Sequence, residues 1–106
     1  MTASSTILII DDEPPIQRFL KPALVAAGHH ISAALSGEEG LAALQTKDYD
    51  LILVDLGLPD IDGKDLITLI RQKHNMPIIV LSAREEEQEK INALDAGADD
   101  YVNKPF

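Results

Sequence analysis

One stretch of the chain constrains its fold more than any other. Residues 51–54 are consecutive apolar residues that run directly into Asp55, and the turn residues Gly57, Pro59 and Gly63 follow. An unbroken apolar run between turn signals predicts a strand buried on both faces, and Pro59 prevents a helix from continuing. Asp55 is therefore predicted at the carboxyl end of a central strand, the edge where open parallel sheets bind ligands.

The rest of the chain alternates between apolar runs and segments with helical periodicity. Strands are predicted at 6–10, 30–34, 51–55, 77–82 and 100–103, and helices at 14–27, 40–46, 62–73 and 84–96. This alternation indicates an α/β fold with a parallel sheet, right-handed crossovers and helices on both faces.

Local signals add detail to the predicted helices. Pro22 lies inside the first helix and predicts a kink near Arg18, while Ser36 and Glu39 have the spacing of a capping box before the second. The first helix has an apolar stripe, and the third has an apolar face. The stripe consists of Ile16, Phe19, Leu20, Ala23, Leu24 and Ala27, and the face of Leu66, Ile67, Leu69 and Ile70.

Composition excludes several classes of protein. The 106 residues suit a single domain, and the absence of cysteine excludes disulfides and thiolate metal sites. No apolar run approaches the roughly 20 residues of a membrane span, and the N-terminus lacks a signal-peptide pattern, so a cytoplasmic protein is expected. A net charge of −9 argues against nucleic-acid or anionic-membrane binding by this segment.

Polar side chains follow four of the five predicted strands at the point where each ends. They are Asp11 and Asp12, Asp55, Ser82, and Lys104. Each has an ordinary alternative role: the first two aspartates as helix caps, Asp55 as a loop residue, and Lys104 as a surface residue. Carboxyl ends of parallel strands share one edge, however, so the conjunction favours a single site.

If these groups converge, their chemistry is restricted. Three carboxylates cannot all ionise close together without a counter-charge, which a hard cation such as Mg²⁺ supplies. A carboxylate beside Mg²⁺, a lysine and a hydroxyl is equipped to attack phosphorus and form an aspartyl phosphate. The sequence therefore predicts phosphoryl chemistry at Asp55.

These residues resemble the receiver domain of two-component response regulators, and the matching segments span nearly the whole chain. The segments are 10–13, 54–63, 80–83, 93–101 and 104–106. The amino-acid sequence of the later segments is similar to that of the OmpR/PhoB branch, and within it to that of KdpE-like regulators. The resemblance implies a flavodoxin-like, doubly wound five-stranded sheet of strand order 2-1-3-4-5.

The resemblance also implies a role for each candidate residue. Asp55 would accept a phosphoryl group from a histidine of a sensor kinase. Mg²⁺ would be bound by Asp12, by Asp55 and by the carbonyl of Gly57, with Asp11 acting mainly through water.

Further roles concern the phosphoryl group and the switch. Ser82, Ala83 and Lys104 would bind the phosphoryl oxygens, and the bond from Lys104 to Pro105 would be cis. Tyr101 would be a switch aromatic that turns inward as Ser82 moves toward the phosphate, although its position alone suggests a half-exposed strand residue.

The chain departs from the family pattern at its end. Receiver domains continue into a fifth helix after the final Lys-Pro-Phe, and this chain stops at Phe106. We therefore expect residues 1–106 to be a receiver domain truncated before its last helix, without a DNA-binding domain. Exposed apolar surface should then favour self-association. The dimer face of the branch would contain Lys90, Asp99 and Asp100.

Two other functions stay open at this level. A Mg²⁺-dependent phosphohydrolase could use Asp55 as its nucleophile, although such enzymes place a second acid two residues later, where this chain has Gly57. A pseudo-receiver that never becomes phosphorylated is the other alternative. The full set of candidate residues favours a phosphorylated switch over both, with no catalysis beyond its own phosphorylation and dephosphorylation.

Overall fold

A computed structural model describes residues 4–84 and 86–104. The strands are β1 (Thr6–Ile10), β2 (His30–Ala34), β3 (Leu51–Asp55), β4 (Ile78–Ser82) and β5 (Asp100–Asn103). The helices are α1 (Pro14–Ala26), α2 (Gly37–Leu44), α3 (Gly63–Arg71) and α4 (Glu87–Ala96). All strand pairs are parallel, and the order is β2-β1-β3-β4-β5. The predicted α/β architecture and strand order are confirmed.

The sheet divides the hydrophobic core into two layers. Side chains alternate across a strand, so Leu8 and Ile10 of β1 belong to one layer and Ile7 and Ile9 to the other. Helices α2, α3 and α4 cover the first layer, and α1 covers the second with Leu20 and Leu24. Helices therefore lie on both faces, as the fully apolar central strands require.

The predicted apolar surface of two helices is partly wrong. Phe19 on α1 is 59% exposed and Leu69 on α3 is 41% exposed, while Gln17, outside the predicted stripe, is buried. Ala23 and Ala27 are exposed as well. A helix on an open sheet buries only the residues directed at the strands, so the outer residues of a broad apolar stripe face solvent.

Helix boundaries also differ from the prediction. Ser36 is the N-cap of helix α2, as predicted, since its side chain accepts a hydrogen bond from the Glu39 backbone N–H at 3.1 Å; the helix begins at Gly37, ahead of the predicted range 40–46. The Glu39 carboxylate accepts from Leu35, not from Ser36 as a standard capping box would have it. Helix α4 begins three residues late, at Glu87.

Helix α1 runs without interruption through Pro22, so the kink near Arg18 stays a prediction. Gly28 and Gly97, the predicted helix stops, have φ of 97° and 126°, which favours glycine. The Lys104–Pro105 bond lies outside the described residues. Among the described helices, none has both the length and the hydropathy needed to cross a bilayer.

Candidate functional site

The carboxyl edge of the sheet gathers the three predicted aspartates. Asp11 and Asp12 follow β1, Asp55 ends β3, and each offers a carboxylate oxygen within 4.8 Å of the other two. The strands β1 and β3 are direct neighbours, so their ends come together at this edge. The predicted convergence is thus observed.

Lys104 completes the cluster from the end of the edge strand β5, which lies two strands away from β3. Its side chain is only 6% exposed, and its Nζ lies 2.8 Å from Asp11 Oδ2 and 3.4 Å from Asp55 Oδ1. It also lies 2.9 Å from Glu13 Oε1, a contact that sequence reasoning missed, although Glu13 continues the acidic run after β1. The Lys104 backbone N–H donates to the Ser82 carbonyl at 2.8 Å, which ties the end of β5 to that of β4.

The electrostatics of the cluster are unbalanced. Burial raises the pKa of Asp55, and the negative charge of Asp11 adds to this, while the charge of Lys104 opposes it. Burial lowers the pKa of Lys104, but its bonds to Asp11 and Glu13 outweigh that effect and the net pKa is raised. The lysine therefore stays protonated, and one cation faces several carboxylates.

This donor set fits a hard divalent cation. Mg²⁺ prefers carboxylate and carbonyl oxygens and retains water, and three carboxylate oxygens within 4.8 Å of each other are a suitable group. Asp11 is already paired with Lys104, and its Oδ1 accepts from the Glu13 backbone N–H at 2.9 Å. Asp55 also contacts Lys104, but at the longer distance of 3.4 Å, so the lysine neutralises Asp11 more closely than Asp55.

Ser82 and Ala83 lie beside Asp55 because β4 is the other neighbour of β3. Ser82 is 1% exposed, and its Oγ accepts from the backbone N–H of Arg84 at 3.0 Å, which leaves the hydroxyl hydrogen able to donate elsewhere. Ala83 is exposed at the same edge. Gly57 donates a backbone hydrogen bond to Asp55, which works against the rise in the pKa of that carboxyl but does not offset the effect of burial.

The loop between β3 and α3 is fixed by contacts that the sequence did not reveal. A β-carbon at Gly63 would lie 2.6 Å from the Leu56 Cα, so only glycine allows this close approach. Asp60 accepts from the backbone N–H groups of Gly37 and Glu38, both at 2.9 Å, and so caps α2 from another loop. These bonds lower the pKa of Asp60.

Tyr101 and Arg84 form the outer wall of the site. The Tyr101 hydroxyl donates to the Arg84 carbonyl at 2.9 Å, and its ring packs against the core layer under α2, α3 and α4. Arg84 was predicted inside α4 and was missed as a site residue. Its Nη1 lies 3.0 Å from Glu89 Oε2.

Two of the three residues of the predicted dimer face already make hydrogen bonds within their own chain. Asp99 Oδ2 accepts from the Ile78 backbone N–H and from Arg71 Nη2, both at 2.8 Å, so this carboxylate already pairs within its own chain. Asp100 accepts from the Tyr101 N–H, and Lys90 is exposed.

A family model supports the same assignment as this geometry. The model of the response regulator receiver domain matches residues 7–106. The chain belongs to the response regulator receiver family. Among curated relatives, this receiver domain is 51% identical over 102 residues to the KDP operon transcriptional regulatory protein KdpE of Escherichia coli strain K12. The match covers 96% of the receiver domain and 45% of that relative, so the chain spans less than half of the relative's length.

Solved structures agree with the fold of the receiver domain. A two-component response regulator from Clostridium difficile has a TM-score of 0.95 at 36% identity, covering 96% of this chain and 84% of that one. The response regulator TrrA of Thermotoga maritima, solved in complex with Mg²⁺-BeF, has a TM-score of 0.84 at 37% identity, covering 95% and 87%. The resemblances to KdpE-like regulators and to the receiver fold are confirmed.

Proposed function

We propose that this receiver domain is a phosphoacceptor switch in which Asp55 takes a phosphoryl group from a phosphohistidine of a sensor kinase. An Asp55 oxygen attacks phosphorus, the P–N bond breaks, and the electron pair of that bond stays on the histidine nitrogen, which takes up a proton. The product is an aspartyl phosphate. The carboxylate cluster with Lys104 against it is the observation that carries this proposal.

Each surrounding residue has a distinct part in this reaction. Asp12, Asp55 and the Gly57 carbonyl would hold Mg²⁺, with Asp11 acting through water. When bound, Mg²⁺ supplies positive charge to the phosphoryl oxygens. Lys104 exchanges its contact with Asp55 for one with a phosphoryl oxygen.

The remaining oxygens are bound at the end of β4. The Ser82 hydroxyl and the Ala83 backbone N–H donate to them. The Tyr101 hydroxyl donates to the Arg84 carbonyl in this structure. When Ser82 moves toward the phosphoryl group, the Tyr101 ring would turn inward. Phosphorylation can shift the equilibrium between an inactive and an active conformation only because the contacts of the phosphoryl group differ between these two conformations.

A small phosphodonor tests the proposal directly. Acetyl phosphate with Mg²⁺ should add one phosphoryl group to the chain, detected by intact mass, and Asp55→Asn should abolish the addition. Asp48→Asn, which removes an exposed acid far from the site, is the matched control and should label normally. Undiminished labelling of Asp55→Asn would refute the assignment, and absence of labelling in the wild-type chain would favour a pseudo-receiver.

The switch is distinguished from a phosphohydrolase by turnover. A switch hydrolyses only its own aspartyl phosphate and releases no phosphate from phosphomonoesters, whereas an enzyme shows many turnovers. In the regulators that this chain resembles, the output is transcription, and the net charge of −9 supports a separate segment for DNA binding.

We also propose that the 106-residue chain self-associates through the sheet face beside α1. Ile79 and Val102 on that face are only half-buried, and Phe19 is 59% exposed. Light scattering after gel filtration should show concentration-dependent dimers, reduced by Phe19→Glu. Leu69→Glu, on the opposite side of the sheet, is the control, and equal effects of the two variants would refute the proposed face.

A further inference from the structure

Arg84 joins the site to two helices through one guanidinium group. Its Nη1 lies 3.0 Å from Glu89 Oε2 in the first turn of α4 and 3.8 Å from Oδ2 of Asp62, the residue that caps α3. Lys64 of α3 lies 3.4 Å from the same Glu89 oxygen. Two cations and two carboxylates therefore link the start of α3 to the start of α4.

The other side of the guanidinium faces the phosphoacceptor. The position that a β-carbon would take on Gly57 is 3.6 Å from Asp55 Oδ2 and 3.9 Å from Arg84 Nη2. Because Gly57 has no side chain, these two atoms flank the same open space. The negative charge of Asp55 helps to raise the pKa of Arg84, though less than the charges of Glu89 and Asp62 do. Glu89 is the largest contributor to that shift, so the guanidinium is shared unequally.

The backbone of Arg84 contacts two other site residues. Its N–H donates to Ser82 Oγ at 3.0 Å, and its carbonyl accepts from the Tyr101 hydroxyl at 2.9 Å. A displacement of Arg84 would therefore be felt at both residues.

We propose that Arg84 is a charge latch: Glu89 and Asp62 hold it in the unphosphorylated chain, and a phosphoryl group on Asp55 takes it from them. The inference rests on the proposed function, since it requires phosphorylation of Asp55. The guanidinium fork matches phosphate oxygens, which offer stronger charge-assisted bonds than a partly exposed carboxylate. Partly exposed ion pairs contribute little, so the latch is weak enough to open.

The carboxylates that Arg84 would leave both keep other partners. When Arg84 departs, Glu89 keeps Lys64, and the capping role of Asp62 does not depend on Arg84, because its Oδ1 accepts from the Lys64 backbone N–H at 2.9 Å. The start of α4 loses its tie to the loop after β4, and the Arg84 backbone, which bonds Ser82 and Tyr101, loses the restraint that its side chain provided. The latch thus couples the charge of the phosphoryl group to the position of α4.

Beryllofluoride, used as a non-hydrolysable phosphoryl stand-in with Mg²⁺, tests the latch by calorimetric titration. Glu89→Gln removes the competing carboxylate, so it should tighten binding by about twofold to fivefold. Arg84→Gln removes the guanidinium and should weaken binding by about tenfold or more. Glu87→Gln, with the same charge change in the same helix turn, is the matched control and should bind like the wild-type chain.

The double variant decides between a latch and general electrostatics. If Glu89 acts only by restraining Arg84, the gain of Glu89→Gln should disappear when Arg84→Gln is also present. Arg84→Lys, which keeps the charge but loses the fork, should recover only part of the binding. A gain that persists in the double variant, or unchanged binding in Arg84→Gln, would overturn the latch while phosphorylation of Asp55 stands. Failure of the wild-type chain to bind beryllofluoride or to label with acetyl phosphate would overturn both.

Discussion

Neutralising Asp55 in the absence of metal should stabilise the fold. Two other carboxylates lie within 4.8 Å of Asp55, and Lys104 lies 3.4 Å away. At an effective dielectric constant near 20, each repulsion is at least about 3.5 kcal/mol and the attraction is about 5 kcal/mol. Among these three neighbours alone, the ionised Asp55 carboxylate is therefore disfavoured by about 2 kcal/mol, before the cost of burial and the weaker attraction of Arg84 are counted.

Asp55→Asn keeps the shape of the side chain and removes its charge. We expect its free energy of unfolding to exceed that of the wild-type chain by about 1–3 kcal/mol in EDTA. In thermal melts this corresponds to a rise in Tm of about 4–8 °C for each kcal/mol. Urea titrations followed by circular dichroism measure the difference.

Magnesium should narrow the gap between the two proteins. At tenfold excess over its Kd, Mg²⁺ stabilises the wild-type chain by about 1.4 kcal/mol, and Asp55→Asn should gain less because one ligand is lost. Asp48→Asn, which removes an exposed carboxylate, should stay within about 0.5 kcal/mol of the wild type in both conditions. The charge argument fails if Asp55→Asn is no more stable than the wild type in EDTA, or if both respond equally to Mg²⁺.

Further substitutions test the contacts that hold the loops and helices around the site. The lowered pKa of Asp60 means that its capping of α2 is present above the ordinary carboxyl value of 3.8 and is lost as pH falls through the lower folded value. Asp60→Ala should therefore reduce Tm at pH 7 but not at strongly acidic pH, and an equal loss at both would contradict this. Gly63→Ala should cost about 1–3 kcal/mol in urea titrations because its β-carbon would meet backbone, whereas the β-carbon of Gly40→Ala would meet the end of the Ile10 side chain and should cost less. Gln17→Leu removes the Nε2 donor shared by the carbonyls of Ile9 and Asp11, and should cost about 1–3 kcal/mol; a neutral result would show that those carbonyls find other donors.

The strands and their ends were predictable because burial on both faces leaves a plain signal. The runs 6–10, 51–55 and 78–82 are apolar nearly throughout, so their ends and the polar groups after them could be located directly. Strand order could not be obtained that way, since any order of parallel strands places their carboxyl ends at one edge. It came from the resemblance to the receiver family, and the observed pairing agrees.

Helix starts and loop contacts were predicted less well, for reasons visible at particular residues. Arg84 was assigned to α4 because nothing in the local sequence separates it from the acidic run that follows. Its actual position depends on Ser82 and Tyr101, and the latter is 17 residues away. Asp60 likewise caps a helix 23 residues earlier in the chain. Contacts of such sequence separation leave no periodic signal.

The site combines residues held by buried strands with one residue, Arg84, held by partly exposed ion pairs. The aspartates and Lys104 are fixed by strands whose side chains are buried, so the arrival of a phosphoryl group changes their charge balance more readily than their positions. Arg84, 38% exposed at its side chain and held by ion pairs, is the charged neighbour of Asp55 that can move at low cost. A rigid acceptor beside a weakly held cation turns a local change of charge into a displacement at the start of α4. Asp55 could be predicted from the sequence because an apolar run marks the buried strand that ends there. The position of Arg84 could not be predicted, because the contacts that define its loop form only in the folded chain.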